Sequence, residues 1–234
     1  MSTTQACDED RFLKDAANHQ MTVIRNDGVH RHLRFKRPDQ SAYWFDLITW
    51  DGTLCIDGDM GTFVFRRLPD MFEFFRTDRE YLTRKGTHLA INPGYWSEKL
   101  RAPNSRHAKE YSAESFRQHV KEAYDNWVEM EKPNDEALQT DRDEFASKSA
   151  QLWEELEIDV LCNADDGDVR AYDSARDFTT SIDGVSFDMS ECWEWSCREY
   201  TFDFLWCCYA IAWGIKTYDN AKTATAPTEQ TEAV

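Results

Sequence analysis

Basic residues are scarce in the second half of this chain, and that scarcity is its most informative feature. Residues 111–234 carry 10 Lys+Arg against 28 Asp+Glu, or 10 − 28 = −18, whereas residues 1–110 carry 17 against 16, or +1. A near-neutral half joined to a strongly acidic one repels nucleic acid and anionic membrane and attracts basic surfaces. Long apolar runs are absent too. The longest charge-free one, Phe204–Ile215, has 12 residues, short of the ~20 that a membrane-spanning helix needs, so a buried core helix is expected there. Met1–Asp10 has neither a basic start nor an apolar stretch, unlike a secretory leader. The seven cysteines are odd in number and follow no framework spacing, which points to reduced thiols in a cytosolic protein. His-Glu-x-x-His, Gly-x-Ser-x-Gly, a phosphate loop and Gly-x-Gly-x-x-Gly are all missing, and there is no internal repeat.

Apolar residues make up 41% of the chain, and 32 residues are aromatic (14 Phe, 9 Trp and 9 Tyr). Each buried aromatic removes roughly 150–250 Å² from water, so the chain can fold without disulfides or metal.

Four stretches follow from the pattern. Residues 1–20 are polar and expected to be loose. Residues 21–67 read as an antiparallel meander of about five strands. Met21–Arg25 and Val29–Lys36 flank Asn26-Asp27-Gly28, and Asp51-Gly52 and Asp57-Gly58 separate the later apolar runs. Residues 68–220 read as an acidic helical region packed on that sheet in one domain. Met71, Phe74, Phe75 and Leu82 show helical spacing, and a short helix is expected over Tyr95–Leu100. A longer one runs over Ser112–Glu131 with the stripe Phe116, Val120, Ala123, Tyr124 and Trp127. The next, capped by Asn134 or Asp135, reaches about Val160 with Leu138, Phe145, Leu152, Leu156 and Val160 inward, and Asn163–Asp168 is an acidic loop. Asp188 with Glu191 imitates a capping box and predicts a last helix from there to about Tyr218. Residues 221–234 read as a disordered tail. The expected class is α+β: a small antiparallel β-meander packed against a helical bundle with a buried C-terminal helix.

Several segments imitate chemistry. Leu47–Leu54 looks like the phosphatase motif of the haloacid dehalogenase superfamily, but Thr49 stands where that motif needs its Asp nucleophile, so Asp51-Gly52 reads as a turn. Asp57-Gly58-Asp59 and Asn163–Asp168 offer oxygens, yet no Glu follows in calcium-loop register. Cys192, Cys197, Cys207 and Cys208 lack the spacing of converging zinc ligands and read as core thiols. No cofactor or metal is expected. In Val29–Lys36, His30, His32, Arg34 and Lys36 share one face opposite Leu33 and Phe35, with Arg31 the exception. That basic face is a secondary candidate site, and an internal or partner-protein role is favoured over direct nucleic-acid binding.

The acidic helices are the primary candidate. Glu122, Asp125 and Glu129 recur at spacings of three and four, away from the apolar stripe, and Asp141, Glu144, Glu154 and Glu157 continue the row. Such spacings advance ~4.5–6 Å along a helix and align the carboxylates. A row of carboxylates can occupy a basic groove built for phosphates.

Tyr200–Ile215, Leu89–Trp96 and the Trp50–Met60 turn region resemble small bacteriophage and prophage proteins, over most of residues 20–220. The resemblance implies a phage origin and a bacterial host cytoplasm, and carries over no functional residue. By analogy of class, compact acidic phage proteins often block host defences such as CRISPR effectors or restriction systems. The expected function is a non-enzymatic inhibitor, anti-CRISPR-like and a DNA mimic. Its partner would be a basic host protein or nucleoprotein complex, with no membrane contact and with a homodimer as one arrangement. Two other readings are a divalent-metal-dependent hydrolase or nuclease and a phage structural or assembly factor.

Overall fold

A computed structural model describes residues 7–76, 89–103, 105–134, 136–182 and 185–225. It is an α+β protein, as expected, with a six-stranded antiparallel sheet and a long, largely buried C-terminal helix. The chain forms two compact units: Met1–Lys109 with Tyr200–Val234, and Glu110–Glu199 inserted between them in sequence.

In the first unit, strands β1 (Gln20–Asp27), β2 (His30–Lys36), β3 (Phe45–Trp50), β4 (Thr53–Gly58), β5 (Gly61–Arg66) and β6 (Leu100–Ala102) pair in sequence order. The meander thus has one strand more than expected, because Leu100 lies in a strand. The helix before it, α3, covers only Pro93–Ser97. Gly28 and Gly52 take φ of 58° and 70° in the turns after β1 and β3, a conformation that costs glycine nothing sterically.

Alternation gives the sheet two faces. One carries Leu33, Phe35, Phe45, Leu47, Leu54, Ile56, Phe63 and Phe65, all buried. Helix α7 (Phe202–Thr225) packs there through Phe204, Trp206, Cys207, Cys208, Ile211 and Ile215. A Cβ added at Gly214 would sit 2.7 Å from Leu47 Cδ1, so the helix backbone itself approaches the sheet. This is the physical meaning of the all-apolar run. Arg31 joins the inner face because Asp70 accepts from its Nη1 and Nη2 at 2.9 and 2.8 Å, and the Phe72 ring lies 4.6 Å away.

Three expectations for this unit need correction. Residues 1–20 contain helix α1 (Glu9–Ala16), capped by Asp8, whose carboxylate accepts the Arg11 N–H at 2.8 Å. Its Phe12 is fully buried, 5.1 Å from the Trp206 ring. The last helix starts at Phe202, not Asp188, and it continues past Tyr218 to Thr225, so residues 221–225 of the expected disordered tail are helical. Residues 71–76 form helix α2 as expected, while Leu82 and residues 226–234 lie outside the described residues.

In the inserted unit, helices α4 (Ala113–Glu131) and α5 (Gln139–Asp159) form the expected pair, but α5 starts after Leu138 and is not capped by Asn134, whose Oδ1 accepts the Glu136 N–H at 3.1 Å, while Asp135 lies outside the described residues. They lie antiparallel, because Trp127 stacks on Phe145 (centroids 5.9 Å) while the earlier Tyr124 meets the later Trp153 (5.0 Å). Phe116, Val120, Leu152, Leu156 and Val160 fill the core between them. Leu138 does not: it is 70% exposed at the start of α5, where it makes no side-chain cap. A 3-10 turn, Leu161–Asp166, and helix α6 (Asp168–Asp177) occupy what reads as an acidic loop. Strands β7 (Thr179–Ile182) and β8 (Val185–Asp188) form a hairpin ahead of the 3-10 turn Cys192–Glu194. Cys192 and Cys197 therefore sit on no common helix, and both are buried free thiols.

Candidate acidic interaction surface

The units separate charge more sharply than a cut at residue 110 does. Glu110–Glu199 holds 25 Asp+Glu and 8 Lys+Arg, or 8 − 25 = −17. The remainder holds 19 of each, so the whole net charge of −17 belongs to the inserted unit.

All seven predicted carboxylates, Glu122, Asp125, Glu129, Asp141, Glu144, Glu154 and Glu157, are exposed. Helix α4 presents the first three and α5 the other four. Three have a lysine partner on or beside the same helix: Lys121 for Asp125, Lys132 for Glu129 (2.5 Å) and Lys148 for Glu144 (2.7 Å). Exposed helical pairs of this kind contribute only about 0.3–0.5 kcal/mol, so an approaching cation can displace the lysine. The other four have no Lys or Arg partner among the described residues. Glu122 accepts from Gln118 Nε2 at 2.9 Å and lies 3.5 Å from His119 Nδ1. Glu157 accepts the Trp153 indole N–H at 2.9 Å, and Asp141 the Thr140 hydroxyl at 3.4 Å.

The Asn163–Asp168 segment is not an open oxygen cage. Asp165 pairs with Arg117 at 2.5 Å, Asp166 with Arg170 at 3.7 Å and Asp168 with Arg198 at 3.8 Å. In the first unit, Asp59 accepts the Tyr43 N–H at 2.6 Å, and Asp57 accepts the Thr62 hydroxyl. Among the described residues, no three His, Cys, Asp or Glu side chains converge as a metal site would require. Thr49 is buried and donates to the Val29 carbonyl at 2.7 Å, while Asp51-Gly52 is the hairpin turn that the sequence implies.

His30, His32, Arg34 and Lys36 do share the outer sheet face. The face carries its own counter-charge. Asp46 on β3, its side chain 5% exposed, accepts from Arg34 Nε and Nη2 at 2.9 and 2.8 Å and lies 2.8 Å from His32 Nε2. Burial would raise the Asp46 carboxyl, but the Arg34 and His32 hydrogen bonds outweigh it and hold the carboxyl below its ordinary value. Arg34 also lies 5.6 Å from the Trp44 ring, and the two border a shallow depression of about 230 Å³ with Lys36 and Ser41. The strand register thus supplies an acid for the basic face from the neighbouring strand.

The sequence reading missed a concave part of the acidic face. At the α4–α5 corner, Trp127, Glu131, Asp141, Glu144, Phe145 and Lys148 line a pocket of about 270 Å³. Trp127 and Phe145 read as inward-facing apolar residues, yet both are only half-buried. The available signal was spacing: Glu131 follows Trp127 by four residues, and Asp141 precedes Phe145 by four, so each acid shares a helix face with an aromatic.

No family model, no curated protein and no solved structure matches this chain.

Proposed function

We propose that this chain is a binding protein that occupies a basic, phosphate-binding surface of a host nucleic-acid-handling complex with the acidic helices of its inserted unit. The observation that carries the reading is the confinement of the entire net charge of −17 to Glu110–Glu199. Confined charge focuses the field on one unit, speeds encounter with a basic partner and makes association salt-sensitive. A helical row places one carboxylate per ~4.5–6 Å, sparser than the one phosphate per 3.4 Å of a DNA strand. Two antiparallel helices side by side narrow that gap, which a single helix could not. An antiviral defence complex in the bacterial cytoplasm is the partner class that a phage origin, itself a proposal, would imply.

Affinity capture from bacterial lysates carrying defence systems, washed at rising salt, tests the reading. The expected result is a basic nucleic-acid-binding complex that releases as salt rises and is displaced by duplex DNA. Replacing Glu122, Glu154 and Glu157 with Lys breaks no Lys or Arg ion pair among the described residues. An exposed charge pair is worth about 0.2–1 kcal/mol, and reversal turns attraction into repulsion, so three sites cost about 1–6 kcal/mol. Partner affinity is expected to fall roughly tenfold or more at low ionic strength, with the fold intact. Unchanged affinity in the triple variant, or capture indifferent to salt, overturns the proposal.

A further inference from the structure

We propose that the pocket at the α4–α5 corner receives an arginine side chain of the partner. The inference rests on the acidic-surface reading above and gives it an anchor.

Two features select the occupant. The first is charge. Glu131, Asp141 and Glu144 line the pocket against a single base, Lys148, which is already engaged with Glu144 at 2.7 Å. Glu131 and Asp141 make no ion pair among the described residues, so two carboxylates remain for an incoming cation. The second is the aromatic wall. Trp127 and Phe145 lie nearly parallel, with 21° between their planes. A flat guanidinium stacks on such rings and offers forked donors to carboxylates beside them. A lysine ammonium is more strongly hydrated and has no plane to stack. Cavity, charge and aromatic plane thus converge on one residue type.

Calorimetry on the full chain tests the assignment with a short peptide of alternating Arg and Gly and its Lys and citrulline counterparts. The Arg peptide is expected to bind at least tenfold tighter than the Lys peptide, and the citrulline peptide not to bind. Neutralising the pocket with E131Q and D141N is expected to cost at least fivefold more affinity than E154Q and E157Q, which remove the same charge elsewhere. All four positions are exposed, and thermal melting checks that the variants fold. Phe145→Leu is expected to abolish the preference for Arg over Lys while leaving salt-dependent attraction. Equal losses from the two double variants, or no Arg preference in the wild type, overturn the pocket assignment and leave the acidic-surface reading standing. An Arg preference lost only with the pocket, without capture of any basic complex, upholds the pocket and counts against the host-complex reading.

Discussion

Gly58 ends strand β4 where its neighbour leaves no room for a side chain, and replacing it with Ala is a sharp test of the sheet's register. A Cβ there would lie 2.2 Å from the Trp44 carbonyl oxygen, 2.8 Å from Phe45 Cα and 3.0 Å from Phe45 Cβ. Backbone atoms cannot rotate away as a side-chain tip can. The Trp44 carbonyl is also held by the Asp59 N–H at 3.1 Å, and the Tyr43 N–H by the Asp59 carboxylate at 2.6 Å. Relief therefore requires the β2–β3 loop to move off the β4–β5 hairpin. Overpacking of this kind costs typically 1–3 kcal/mol or more, while the stiffer unfolded chain returns about 0.4–1 kcal/mol. A net loss of about 2 kcal/mol lowers the melting temperature by roughly 4–8 °C for a chain of this size. Thermal unfolding followed by near-ultraviolet circular dichroism reads the shift, with Gly94→Ala as the control. The control's Cβ meets nothing closer than 3.7 Å in α3, so it is expected to be neutral or slightly stabilising. The displacement would also move Trp44 from Arg34, coupling the turn to the basic face. A Gly58→Ala melt within about 1 °C of the wild type, or equal to the control, refutes the close approach.

Two further outcomes follow from the buried acid and the thiols. The Asp46 carboxyl is held below its unfolded value of about 3.9, so its contribution to stability is complete above that pH and is lost as pH falls through the folded-state value. Asp46→Asn is expected to flatten acid unfolding below about pH 4, and a wild-type acid profile in the variant would refute the role. Burial, reinforced by Asp15 and Asp8, pushes the Cys7 thiol up to about 12, and burial with Asp57 and Asp46 pushes Cys55 up to about 11. Cys207 and Cys208 are fully buried, and burial raises both thiols well above the ordinary value, whereas Cys162 is exposed. Limited alkylation read by peptide mass spectrometry is therefore expected at Cys162 first, and earlier labelling of Cys55 or Cys7 would contradict the structure.

Long periodic segments were legible because many residues repeat the same message. The Phe116–Trp127 stripe specified α4, and the turn chemistry at Asp27-Gly28 and Asp51-Gly52 specified two hairpins. Short elements carried too little signal. Helix α1 has one deeply buried large residue, Phe12, and α6 buries only Ala171 and Ala175, which sequence patterns barely distinguish from a polar loop. At Asp188 a true local signal had another use. Its carboxylate accepts the Ser190 N–H at 3.0 Å and hydroxyl at 2.6 Å, closing a turn in place of capping a helix. The exposure of the seven acidic candidates was legible because charge on a periodic helix is visible residue by residue. The pocket was not, since it forms only when Trp127 of one helix meets Phe145 of the next.

The amino-acid order alone settles how much charge the chain carries, which helices bear it, and that a helix without a polar face must be enclosed. These are sums over neighbours along the chain, and folding does not change them. Tertiary structure decided which charges meet. Strand register placed Asp46 between His32 and Arg34 and so gave the basic face its own counter-ion. The antiparallel packing of α4 on α5 brought two carboxylates, Glu131 and Asp141, which make no ion pair among the described residues, to an aromatic pocket. Electrostatic pairing depends on separations of a few ångströms between residues distant in sequence, and only the folded chain sets those distances.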